Sequence, residues 1–103
     1  MILNGQKVEI DPLFEPIIKT LNKKGYLTTN CCSGHIDNLY SYIMFHPEVD
    51  LLNYPPYYAY SYPNIISRYF KKNSIEDDLI KNAQDVLKWA KKLSINPIKI
   101  WLE

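Results

Sequence analysis

The sequence has no large surplus of either charge: 12 basic residues against 11 acidic ones leave a net +1. It therefore lacks the broad basic footprint that duplex nucleic acid demands. No run approaches the roughly 18 apolar residues of a membrane span. The stretch Met1 to Lys7 has no basic region followed by an apolar one. No secretory leader is expected, and the chain is read as cytoplasmic. Cysteine occurs only twice, as the adjacent pair Cys31 and Cys32. Neighbours on a strand point to opposite faces, so the pair is badly placed to hold one ion. Nor does it match the spacing of a structural zinc site. Cys31, Cys32, His35 and His46 are therefore a poor metal set, and no metal is expected. A disulfide between adjacent cysteines would be strained. Arginine occurs once, at Arg68, against eleven lysines.

What is present is a globular composition, with 47% hydrophobic and 22% charged residues, which argues against disorder. A chain of 103 residues buries roughly two-thirds of its unfolded surface. That is enough for one two-layered core, so a single domain over residues 1–103 is expected, with no cofactor. Asn, Ile, Lys and Tyr make up 42 residues, the bias of AT-rich codons. Six of the nine tyrosines fall between Tyr54 and Tyr69, a concentration of large, rigid rings with polar tips.

Asn4-Gly5 is a hairpin signal, with Ile2-Leu3 and Lys7 to Ile10 as its arms. Asp11-Pro12 reads as a helix cap and first helical residue. Leu13, Phe14, Ile17, Ile18 and Leu21 follow at helical spacing. Pro16 removes a donor, so the regular helix is expected from Glu15, ending at Gly25. Tyr26 to Cys31 and Leu39 to Phe45 read as antiparallel neighbouring strands, the second of them central. Prolines flank the segment Tyr54 to Pro63, which predicts an edge strand or structured loop with Tyr58, Tyr60 and Tyr62 on one face. Asn64 to Phe70 reads as a short helix capped by Asn64. Ser74 opens a second long helix with an apolar stripe through Ile75, Leu79, Ile80, Ala83, Val86, Leu87, Ala90 and Leu93 and with Lys91-Lys92 at its negative end. Pro97 introduces a last strand, Ile98 to Leu102. The expected class is α+β: a mostly antiparallel sheet of three to five strands with two helices packed on one face.

Polar chemistry concentrates in Thr28-Thr29-Asn30-Cys31-Cys32-Ser33-Gly34-His35. Gly34 permits a tight turn, and the amides around Ser33 and Gly34 form an anion-binding nest. Asn30, Cys32 and His35 add directional groups suited to phosphate or carboxylate. A plain turn accounts for the small residues equally well. Cys32 and His35 lie within reach as a thiolate–imidazole pair, but no third orienting group can be named, so binding is expected rather than catalysis. Downstream, Tyr54, Tyr57, Tyr58, Tyr60 and Tyr62 offer rings to a planar group, each stack being worth about 1–3 kcal/mol. Arg68 adds a bidentate fork for phosphate. The bland alternative has these tyrosines covering a core or a dimer interface. The expected ligand site joins Asn30, Cys32, Ser33, Gly34, His35, Tyr58, Tyr60 and Arg68, completed by a second subunit if the chain forms a homo-oligomer.

The string Tyr26 to Ile36 resembles the Thr-Thr-Ser-Ser-Cys-Ser-Gly-Arg segment of the wybutosine-synthesis methyltransferase family, which modifies tRNA. Cys32, Ser33 and Gly34 match that motif directly, and Ile17 to Gly25 extends the likeness loosely. His35 stands where the family has arginine. The string is also similar to small proteins of low-GC bacteria and their phages that carry a Cys-x-Gly-His loop after a Gly-Tyr turn. The resemblance implies a shared fold. For activity it implies S-adenosylmethionine and a tRNA anticodon stem as partners. Three functions are thus expected in turn. The first is a small-ligand binding protein for a nucleotide or nucleotide-derived signal, which in a phage would sequester a host immune messenger as a counter-defence. The second is a tRNA-modifying enzyme or accessory domain. The third is a protein-interaction module using the tyrosine strip.

Overall fold

The computed structural model describes residues 2–3, 6–7, 11–34, 39–61, 64–70 and 76–96. Two short strands, β1 (Ile2–Leu3) and β2 (Gln6–Lys7), pair antiparallel, with Leu3 opposite Gln6. The pairing of these arms is what the hairpin signal predicts; Asn4 and Gly5 themselves lie outside the described residues. Of the longer second arm that was expected, Val8 to Ile10 lie outside the described residues.

Asp11 delivers the chain to the first helix, α1 (Glu15–Lys23). Its Oδ1 accepts the Leu13 amide at 3.1 Å, and its carbonyl accepts the Phe14 amide at 2.9 Å and the Glu15 amide at 3.1 Å. Asp11 therefore organises the turn before the helix. Pro16 falls in the first helical turn, where its missing N–H has no partner to lose. At the other end the Gly25 amide reaches the Asn22 carbonyl at 3.0 Å and the Tyr26 amide reaches that of Leu21 at 2.9 Å. Gly25 sits at φ +91°. This is a Schellman stop, which needs a residue tolerant of left-handed backbone.

The main sheet contains β3 (Thr28–Cys32), β4 (Tyr40–Phe45), β5 (Ala59–Ser61) and β6 (Ile65–Tyr69), in the order β3-β4-β6-β5, every pair antiparallel. Along β4 burial alternates: Ser41, Ile43 and Phe45 are buried, while Tyr40, Tyr42 and Met44 are half-buried. Ile43 opposes Cys31 on one side and Ile66 on the other, so all three face inward. They join Phe14, Ile17, Ile18 and Leu21 from α1 and its approach, and Ala83, Val86 and Ala90 from α2 (Glu76–Lys92), in one core. Both helices therefore cover the same face of the sheet, giving the α+β architecture the patterning predicts. The opposite face carries Tyr40, Tyr42 and Tyr69, with ring centroids 5.5 Å apart for Tyr40–Tyr42 and 4.5 Å for Tyr40–Tyr69.

One element differs from its sequence reading. Residues 64–70 form the inner strand β6 rather than a short helix. Asn64 does not cap a helix; it sits at φ +59°, a left-handed conformation that Asn tolerates. Ile-Ile-Ser-Arg-Tyr is rich in residues that favour a pleated surface. Paired on both edges, by β4 and β5, it gains more hydrogen bonds than a helix too short to be stable alone. The strand expected at Ile98 to Leu102 lies outside the described residues. Among the described residues no helix is long and apolar enough to cross a membrane.

The ends of the two helices are tied by Lys24. Its Nζ donates to the carbonyls of Ala90 at 2.9 Å, Lys91 at 2.6 Å and Leu93 at 2.6 Å. The ammonium thus spends its three donors on carbonyls at the negative end of α2.

Candidate functional site

The inward row of the sheet is apolar except at one end, where Ser41 of β4 opposes Arg68 of β6. These two and their neighbours form a directional chain of hydrogen bonds. Arg68 Nη1 donates to Asn82 Oδ1 at 3.1 Å. Asn82 Nδ2 donates to the Tyr58 hydroxyl at 3.0 Å. The Tyr58 and Ser41 oxygens lie 2.7 Å apart, and Ser41 Oγ donates to the Cys32 carbonyl at 3.2 Å. Tyr58, Ser41 and Asn82 are all buried. A polar network at this depth stabilises only because each member has its partner. Burial raises the Tyr58 hydroxyl above the usual phenol range, although its bonds to Ser41 and Asn82 and the nearby Arg68 charge pull the other way.

The chain of bonds begins at a guanidinium held between two rings. Arg68 Cζ lies 4.7 Å from the Tyr57 ring centroid and 4.5 Å from that of Phe70, within range for cation–π attraction. No carboxylate pairs with Arg68 among the described residues; the ion pairs there are Lys19–Glu15 and Lys81–Asp85. Tyr57 is 79% exposed and sits at φ +68°, an uncommon conformation for a bulky residue.

The Ser33–Gly34 turn backs this cluster. Gly34 lies at φ +93°, and an added Cβ would come within 3.2 Å of the Leu79 side chain and 3.6 Å of the Phe70 ring. Glycine suits the left-handed backbone here and leaves room for Leu79, with the ring that supports Arg68 in ordinary contact beside it. Ser33 is buried, and its hydroxyl donates to the Asp11 carboxylate. That bond fastens the turn to the start of α1 and commits the hydroxyl to a negatively charged group.

The expected site residues therefore divide. The Ser33–Gly34 turn, Tyr58 and Arg68 come together on the inward side, with Asn82 and Phe70 between them. Asn30 and Cys32 oppose Met44 and Tyr42, so their side chains lie on the other face of the sheet. Asn30 is exposed and accepts the Cys31 amide at 2.9 Å. Tyr60 shares the inward side with Tyr58, since it opposes Ile66. It nevertheless stands at the sheet's edge, bonded to Asn64 at 2.7 Å and stacked on Tyr54 at 6.0 Å. His35 and Tyr62 lie outside the described residues. Asn82 and Ser41 were not anticipated. Both interrupt otherwise apolar inward positions: Asn82 lies three residues after Leu79 and four before Val86, and Ser41 precedes Ile43 and Phe45 at strand spacing. A polar residue inside a core stripe was the available signal.

The two cysteines face opposite sides, as their adjacency predicts. Burial, followed by Asp11 and Cys32, pushes the inward Cys31 thiol up to about 11. It is a neutral, poorly nucleophilic group at physiological pH. The sign of its effect on stability follows. An unfolded thiol ionises at its ordinary value near 9.0, whereas the folded one keeps its proton. Its contribution is therefore complete below pH 9 and is lost as pH climbs toward 11. The thermal midpoint should fall across that window, and less steeply in Cys31→Ala. At pH 7.5 native Cys31 should resist iodoacetamide, as read by peptide mass spectrometry. Among the described residues no three His, Cys, Asp or Glu side chains gather as a metal centre.

A scan against protein-family models and searches of the curated proteins and the solved structures found no match for this chain.

Proposed function

We propose that the chain is a small-ligand binding protein that takes a nucleotide or nucleotide-derived anion at Arg68. The observation that carries this reading is the half-buried guanidinium without a carboxylate partner among the described residues. Withdrawing a cation from water is costly unless an opposite charge compensates. A phosphate would supply that charge and engage the fork through two parallel bonds. Asn82 uses Nη1 and fixes the plane of the group, leaving other donors for a ligand.

Tyr57 supports the same reading. Holding a non-glycine residue in the left-handed region costs about 1–3 kcal/mol, and here that conformation keeps an exposed ring over the guanidinium. The ring's open face suits a planar base. The committed hydroxyl of Ser33 and the raised thiol of Cys31 favour capture over nucleophilic chemistry. Asp11 beside Ser33 makes that turn a poor anion nest, so the phosphate is assigned to Arg68, with Gly34 supporting Phe70 from behind.

Thermal-shift and calorimetric titrations with mono-, di- and cyclic dinucleotides test this. A nucleotide at 100-fold above its dissociation constant stabilises a folded protein by about 2.7 kcal/mol. At least one should raise the thermal midpoint. Arg68→Gln should abolish the shift, and Arg68→Lys should weaken affinity at least about tenfold, the loss of one good bidentate contact. No shift with any nucleotide, or an undiminished shift in Arg68→Gln, overturns the proposal.

A further inference from the structure

A concavity lies away from Arg68, between the loop that follows β4 and the last turns of α2. It has a volume of about 400 Å3, within the range of small-molecule sites. Its floor is built by Tyr26 and Trp89, with Leu93 and Pro56 at the walls. The polar tips of both aromatics are already used inside the protein: the Tyr26 hydroxyl donates to the Ser94 carbonyl at 2.8 Å, and the Trp89 indole N–H donates to Asn53 Oδ1 at 2.7 Å. What these residues leave to the cleft is therefore apolar surface. Leu52 completes the lining and is 98% exposed, an apolar wall facing water.

The rim is charged in a lopsided way. Lys88 and Lys92 stand one turn apart on α2 and both line the cleft. Neither has a carboxylate partner among the described residues. The one acid on the rim, Asp85, is engaged by Lys81 at 3.7 Å. An apolar floor beneath two cations selects by charge as well as by hydrophobicity.

We propose that this cleft binds a small amphipathic carboxylate, with its apolar body against Trp89, Tyr26 and Leu52 and its carboxylate between Lys88 and Lys92. The apolar body gains from leaving water, and the long lysine stems let both ammonium groups reach the carboxylate while remaining hydrated. A cationic ligand with the same body would meet like charge at the rim. This site is independent of the one at Arg68.

The probe is 4-phenylbutyrate, compared with 4-phenylbutanol and 4-phenylbutylamine, which keep the body and change the head. The readout is the indole N–H resonance of Trp89 in the full chain, assigned with Trp101→Phe. Phenylbutyrate should shift that resonance saturably, with affinity at least fivefold above the alcohol and tenfold above the amine. Raising salt from 50 to 500 mM should weaken it, because exposed charges are screened. The exposed pair Lys88→Gln/Lys92→Gln should fold normally and reduce phenylbutyrate binding to the level of the alcohol. Arg68→Gln should leave it unchanged. Absence of a saturable shift, equal binding of the amine, or an unaffected double variant overturns the assignment.

Discussion

Replacing Asn82 by alanine should lower stability by about 2–4 kcal/mol, because it strips partners from buried polar groups and leaves a cavity. Asn82 is 1% exposed and joins α2 to both Arg68 and Tyr58. Without it the Tyr58 hydroxyl retains only Ser41, and the guanidinium loses the acceptor that holds its plane. Asn82→Asp gives a sharper comparison. It keeps the volume and the acceptor for Arg68 but removes the donor to Tyr58, so a milder loss of about 1–2 kcal/mol is expected. The new carboxylate would also neutralise Arg68 from within. Nucleotide binding should then vanish in a protein that still folds. Urea denaturation reads the first effect and calorimetry the second. A cost below about 1 kcal/mol for Asn82→Ala would mean that the buried polar groups do not depend on one another as the geometry requires.

The second large effect is expected in β6. Ile66 is fully buried, opposite Ile43 in β4 and Tyr60 in β5. Ile66→Ala should cost about 3–4 kcal/mol, a large share of the roughly 5–15 kcal/mol that stabilises a small domain. Its neighbour Ile65 points the other way and is half-buried. Ile65→Ala should cost less than about 1 kcal/mol. Denaturation midpoints of the two variants therefore test the strand register directly. Similar costs at both positions would contradict the full burial of Ile66 beside a half-buried Ile65.

The same pair of isoleucines explains how far the sequence could be read. Where one local signal dominates, the reading matches the structure: the helix from Glu15 to the Gly25 stop, the central strand ending at Phe45, and a second long helix, whose expected opening at Ser74 lies outside the described residues. Residues 64–70 were ambiguous because Asn64 serves a helix cap and a left-handed turn equally well. Only β4 and β5, remote in sequence or across a turn, decide between them. The sites follow the same rule. Arg68 and Tyr58 were identifiable from residue type, and Gly34 from its conformational freedom. Their connection through Asn82 was not, because it depends on how α2 lies over the sheet. The bond from Ser33 to Asp11 was equally out of reach of a local reading, because Asp11 is 22 residues away in sequence. Asn30 and Cys32 share one face of their strand, but the alternation alone does not say which face meets the helices; that is fixed by their pairing with Met44 and Tyr42.

The tie at Lys24 bears on how the molecule comes apart. Helices normally unravel from their ends by losing terminal hydrogen bonds singly. Here the final carbonyls of α2 are gripped by a residue that itself closes α1, so releasing one terminus releases a bond of the other. The two helical termini behave as a common latch, and the amides they protect from exchange with solvent should open together rather than one helix at a time.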